Sequence, residues 1–138
     1  MQLEVKINLI LHATEDKNKV LRQLENIFQI EEENFHIEQV PGHFNNPILI
    51  VSSNLKKKIA ERFIKILFSK IKKDDFLEIY QNVDEHVTSS GLSLRLSKQE
   101  MISEVLTVSK EDAIKINIST PVYVKNETKK IYQELLKS

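Results

Sequence analysis

A chain of 138 residues with 20 Lys and Arg against 20 Asp and Glu carries no net charge, so overall basicity does not draw it to nucleic acid. It has no cysteine and only two glycines, which excludes disulfides, thiolate metal sites, a cysteine nucleophile and glycine-rich phosphate loops. The length suits a single domain spanning residues 1–138 with a self-sufficient core. Lack of cysteine, of a signal-like N-terminus and of any apolar run near ~20 residues predicts a cytoplasmic protein that does not enter membranes.

Residues 3–11 place Leu3, Val5, Ile7, Leu9 and Leu11 on one face and Glu4, Lys6 and Asn8 on the other, the period of a half-buried strand. Thr14 then reads as a helix N-cap, with Glu15 and Asp16 in a first turn where carboxylates suit the dipole. Val20, Leu21, Leu24, Ile27 and Phe28 recur at helical spacing. Phe35 and Ile37 predict a short strand. Pro41-Gly42 and Asn45-Asn46-Pro47 bracket a loop, and Ile48-Leu49-Ile50-Val51 reads as a strand buried on both faces.

Residues 55–73 predict a second helix with Leu55, Ile59, Phe63, Leu67 and Ile71 along its buried stripe. A shorter helix follows Asp74-Asp75, presenting Phe76, Leu77, Tyr80 and Val83. Gly91 opens a strand carrying Leu92, Leu94 and Leu96 on one face. Residues 101–108 read as a strand, although Met101–Leu106 also fits a helical turn. Ile114, Ile116 and Ile118 mark another strand, and Asn126 or Thr128 starts a final helix with Ile131, Tyr132, Leu135 and Leu136. With glycine so scarce, left-handed turn positions are expected to fall to asparagine. The order β-α-β-β-α-α-β-β-β-α predicts an α+β fold, a mixed or antiparallel sheet with helices packed on one face.

A search for reactive groups returns little. His12, His36, His43 and His86 have no zinc-motif spacing, so no metal or cofactor is expected. Ser52-Ser53 and Ser89-Ser90 lie outside any nucleophile-elbow pattern. The acidic groups Glu31-Glu32-Glu33, Asp74-Asp75 and Asp84-Glu85 fall in polar connections, where solvated turn residues are the simpler account. The expectation is a protein that is not an enzyme.

Charge distribution says more than its total. Residues 56–73 hold Lys56, Lys57, Lys58, Arg62, Lys65, Lys70, Lys72 and Lys73 against Glu61 alone, and Asp74, Asp75, Glu78, Asp84 and Glu85 follow. With Phe63 and Leu67 facing inward, Lys57, Lys58, Arg62 and Lys65 must project outward, where they can hold phosphates. From charge alone, a solvated lysine face on an ordinary helix is the simpler account. Opposite the leucines of 92–97 lie Ser93, Arg95 and Ser97, followed by Lys98 and Gln99, a set suited to phosphate and sugar contacts. Only Phe44 stands in a polar loop, so stacking on unpaired bases finds little support, and any RNA bound is expected to be structured.

Three ordered stretches carry a family resemblance. His12-Ala13-Thr14-Glu15-Asp16 with Lys19-Val20, Gly42-His43-Phe44-Asn45-Asn46-Pro47-Ile48, and Leu94-Arg95-Leu96-Ser97-Lys98-Gln99 resemble the archaeal family of predicted RNA-binding exosome subunits. The family's loop usually carries glycine where this chain has Asn45. The resemblance implies a fold similar to the 5S-rRNA-binding ribosomal proteins, an archaeal cytoplasmic setting and a link to RNA processing. It draws His43 and Asn46 into the candidate RNA-binding set with Lys57, Lys58, Arg62, Lys65, Arg95, Lys98 and Gln99. The competing expectation is a protein-interaction adaptor in an RNA-processing or translation assembly. An exposed sheet edge would let two copies pair as a homodimer.

Overall fold

The structure, a computed structural model, describes residues 3–42, 46–111 and 113–137. The first half contains β1 (Glu4–Leu11), α1 (Lys17–Phe28), β2 (Phe35–Pro41), β3 (Pro47–Lys56) and α2 (Lys57–Lys70). The second half contains α3 (Lys73–Gln81), α4 (Val83–His86), β4 (Val87–Thr88), β5 (Gly91–Ser97), α5 (Lys98–Ile102), β6 (Ala113–Ser119) and α6 (Thr128–Lys137). Among the described residues, six strands form one antiparallel sheet in the order β2-β3-β1-β6-β5-β4.

Strict alternation in β1 decides which way the sheet faces. Val5, Ile7, Leu9 and Leu11 are buried, and Lys6, Asn8 and Ile10 are exposed. In register with them, Val51 and Leu55 of β3, Ile114, Ile116 and Ile118 of β6 and Leu92, Leu94 and Leu96 of β5 point inward. The helices cover this inner face. Phe28 of α1 stacks on Phe63 of α2 with ring centroids 4.4 Å apart, and Tyr132 and Leu136 of α6 join the same core. Each such side chain contributes roughly 1.5–3 kcal/mol by leaving water.

The fold matches the expected α+β class, with several local corrections. Asp16, not Thr14, caps α1: its carboxylate accepts from the Lys19 amide at 3.1 Å. β3 runs on to Lys56, so α2 starts only at Lys57, where the chain turns a corner, and its buried stripe is Ala60, Phe63, Ile64 and Leu67. In α3 the buried residue is Ile79, whereas Leu77 is exposed. Left-handed backbone falls to Gln29, Lys57 and Glu104 among the described residues, and to no asparagine there.

The predicted strand over 101–108 is replaced by α5 and a bridged tail. Ser97 accepts a hydrogen bond from the Glu100 amide at 3.1 Å, so the Ser-Lys-Gln-Glu run starts a helix directly from β5. Beyond it, Leu106 bridges Ile71 and Val108 bridges Leu96. Asp75 anchors this tail, accepting from the Thr107 hydroxyl at 2.7 Å and the Val108 amide at 3.0 Å. That residue is a structural acceptor rather than a solvated turn acid.

Gly91 opens β5 at φ 125°, and a Cβ there would lie 2.3 Å from the Ile118 carbonyl oxygen. Gly91→Ala is expected to cost at least about 1–3 kcal/mol, read as a lowered urea midpoint in chemical denaturation.

Candidate nucleic-acid interface

Burying one face of the sheet leaves the other open, and strand register collects its side chains into rows. Across β2, β3, β1, β6 and β5, one row runs His36, Ser52, Asn8, Lys115, Arg95. The next row runs Asn54, Lys6, Asn117, Ser93. Neighbours within a row stand about 4.7–4.9 Å apart by strand spacing. Ser93 donates to the Asn117 carboxamide oxygen at 3.3 Å, and Asn117 donates to the Ser90 carbonyl at 2.8 Å.

A groove of about 790 Å³ follows these rows, lined in part by Lys6, Asn8, Ser93, Arg95, Lys110 and Lys115. Arg95, Lys110 and Lys115 are exposed and form no ion pair among the described residues. Lys6 leans toward Glu4 at 3.6 Å, a loose surface contact. Unneutralised cations among short amide and hydroxyl side chains suit phosphate and sugar oxygens.

At the β4 end, Glu78 and His86 rim the groove. The His86 imidazole lies 2.9 Å from both Glu78 carboxylate oxygens, and this hydrogen bond is the main influence holding Glu78 below the ordinary value of 4.5. The contact therefore stabilises the fold above that ordinary value and loses its effect as pH falls through the lowered one.

The sequence-predicted site residues separate in space. Arg95 lies on the open face. Lys57, Lys58, Arg62 and Lys65 are exposed on α2, in the helical layer on the opposite side. One continuous basic stripe joining the two is therefore absent among the described residues. Arg62 also donates to the Gln29 carbonyl at 2.9 Å, tying down the left-handed end of α1. Gln99 is exposed on α5, and Asn46 is exposed beside the start of β3, next to the outer strand. His43 lies outside the described residues.

Lys98 is placed unlike a phosphate ligand, being 2% exposed. Its ammonium donates to the Ile10 carbonyl at 2.6 Å and pairs with Glu15 at 2.9 Å. Glu15 in turn accepts from the His12 amide at 3.0 Å, so the pair ties the end of β1 to α5.

Lys6 and Asn8 were read only as the polar side of a strand, and Lys110, Lys115 and Asn117 were not singled out. The signal for Lys6, Asn8, Lys115 and Asn117 is the polar phase of β1 and β6, visible only when the alternations of several strands are superposed, whereas Lys110 lies in the connection before β6.

The family described as RNA binding matches residues 4–120 of this sequence. The chain belongs to that family. An RNA-binding protein of Pyrococcus abyssi is 30% identical over 126 residues, covering 86% of this chain and 82% of its own. An uncharacterized protein of Methanocaldococcus jannaschii is 29% identical over 135 residues, covering 92% of this chain and 91% of its own. The crystal structure of a DUF54 protein from Sulfolobus solfataricus shares the fold with a TM-score of 0.77 at 28% identity, over 97% of this chain and 98% of that one. The family description names RNA binding and no reaction. No helix among the described residues is long and apolar enough to cross a membrane.

Two outcomes check these contacts. His86→Ala is expected to return the Glu78 pKa toward 4.5, followed by carboxyl chemical shifts in an NMR titration. Lys98→Ala leaves the Glu15 carboxylate without its cation and is expected to lower unfolding free energy by about 2–3 kcal/mol, measured by urea denaturation.

Proposed function

We propose that this chain is a non-catalytic RNA-binding protein that holds the RNA backbone on the open face of its sheet. The observation that carries the reading is the set of exposed cations Arg95, Lys110 and Lys115, without an ion pair among the described residues, along a groove floored by polar strand residues. Membership of the RNA-binding family supports it. Arginine supplies a fork for phosphate oxygens, the lysines supply point charges, and Asn8, Ser93 and Asn117 offer hydrogen bonds to sugars.

Action as one unit in the cytoplasm, alongside the archaeal exosome or another RNA-processing assembly, extends the reading. The resemblance of the three sequence stretches supports that extension. The cations of α2 face away from the groove, which favours a second role there. An acidic protein surface docking on α2 would make the chain an adaptor between its RNA and an assembly.

The decisive measurement is RNA affinity across salt concentration. Roughly three neutralised phosphates give a slope of log K on log salt of about −2 to −3. Arg95→Ala with Lys115→Ala is expected to flatten that slope by about two units, whereas Lys57→Glu with Lys58→Glu and Lys65→Glu lowers affinity through long-range repulsion alone. No binding at low salt, or a slope untouched by the Arg95 and Lys115 changes, overturns the assignment.

A further inference from the structure

The open face is not polar throughout. One step along the strands from the row that contains Asn8 and Lys115, Ile10 of β1 stands directly opposite Ile50 of β3. Ile10 is 44% exposed, and the half-buried Ile50 lies on the same open face. Ala113 is two residues before Lys115 on β6 and so shares its side of the sheet. Together these three floor a second groove of about 310 Å³, walled by Arg95, Lys110 and Lys115. Such a volume lies at the small end of ligand sites and accommodates about one nucleotide.

Exposed isoleucines beside three cations have two needs. The apolar floor gains by covering with a flat or aliphatic group, and the cations gain by meeting an anion within one strand step, about 7 Å away. A nucleotide of an RNA chain supplies both, since its base presents an apolar face and its phosphate sits across the sugar from it. Bases drawn out of a stack are held against aliphatic as well as aromatic side chains. A fully paired stem offers the groove only phosphates and leaves the isoleucines wet.

We infer that this groove is a binding site for an unpaired nucleotide, its base on Ile10, Ile50 and Ala113 and its phosphate on Arg95, Lys110 and Lys115. The inference rests on the RNA reading above and sharpens it. The ligand class becomes RNA with a bulged or single-stranded nucleotide beside a backbone that runs on into the larger groove.

The test compares two RNA hairpins with the same stem, one carrying a single-nucleotide bulge, against the full chain at fixed salt. The bulged hairpin is expected to bind about tenfold tighter, in line with the value of one base on a side-chain platform. Ile10→Ser with Ile50→Ser is expected to abolish that preference and leave affinity for the paired hairpin unchanged. Ile10→Phe, which enlarges the platform, retains or increases it. Equal affinity for the two hairpins overturns the nucleotide site while the backbone-binding surface stands. Binding of neither hairpin at low salt removes the RNA reading and this inference with it. Conversion of a dimer to a monomer by the serine pair, with the bulge preference intact, assigns the floor to a second copy of the chain and overturns the inference.

Discussion

The structure depends on one constraint, that the sheet has helices on a single face. β1 meets it by alternating four buried aliphatic side chains with exposed ones, and it is hydrogen-bonded along both edges. Antiparallel register then places the inward residues of β3, β6 and β5 beside those of β1 and aligns the outward residues equally well. A slip of one residue would bury Lys6 and Asn8 and expose Val5 and Ile7, which makes the register hard to change. The wet rows thus inherit their geometry from the dry ones. Their side chains contribute little to stability, so they are available for contact.

Much of this was legible in the sequence. Period-2 alternation located β1, β5 and β6, and helical spacing located α1, α2 and α6, because each has a long and consistent apolar phase. What failed was mostly local chemistry. Ser97 was read as a polar strand residue, although its hydroxyl caps α5 by accepting the Glu100 amide where β5 ends. Thr14 was chosen as the cap of α1 when Asp16, two residues on, makes the bond. Ile48-Leu49-Ile50-Val51 looked buried on both sides because an unbroken apolar run gives no sign of an open face. The structure leaves Ile48 and Ile50 half-buried there.

The candidate site was harder to read for a physical reason. A run of lysines is visible in one helix, whereas Lys6, Arg95 and Lys115 are scattered through the chain and meet only through sheet register. Lys98 shows the opposite hazard. Its neighbours Ser97 and Gln99 suggest a polar surface, yet the turn into α5 directs its ammonium to the Ile10 carbonyl and Glu15. The three stretches that carry the family resemblance mix both kinds of residue, a buried Lys98 paired with a half-buried Glu15 and an outward Arg95.

Between β4 and the tail at Thr107–Ser109, the outer edge of β5 is divided into two short pairings. The tail closes its part through Ser97 to Thr107 and Ser109 to Arg95 backbone bonds, each 2.9 Å long. β2 forms the other border of the sheet and ends at Pro41, which has no N–H to offer. The β4 border thus presents no long, regular ladder, whereas the seven residues of β2 leave a regular outer edge on the other side. In a crowded cell, any lengthening of the sheet by a neighbouring chain would therefore proceed from the β2 border and not from the β4 one.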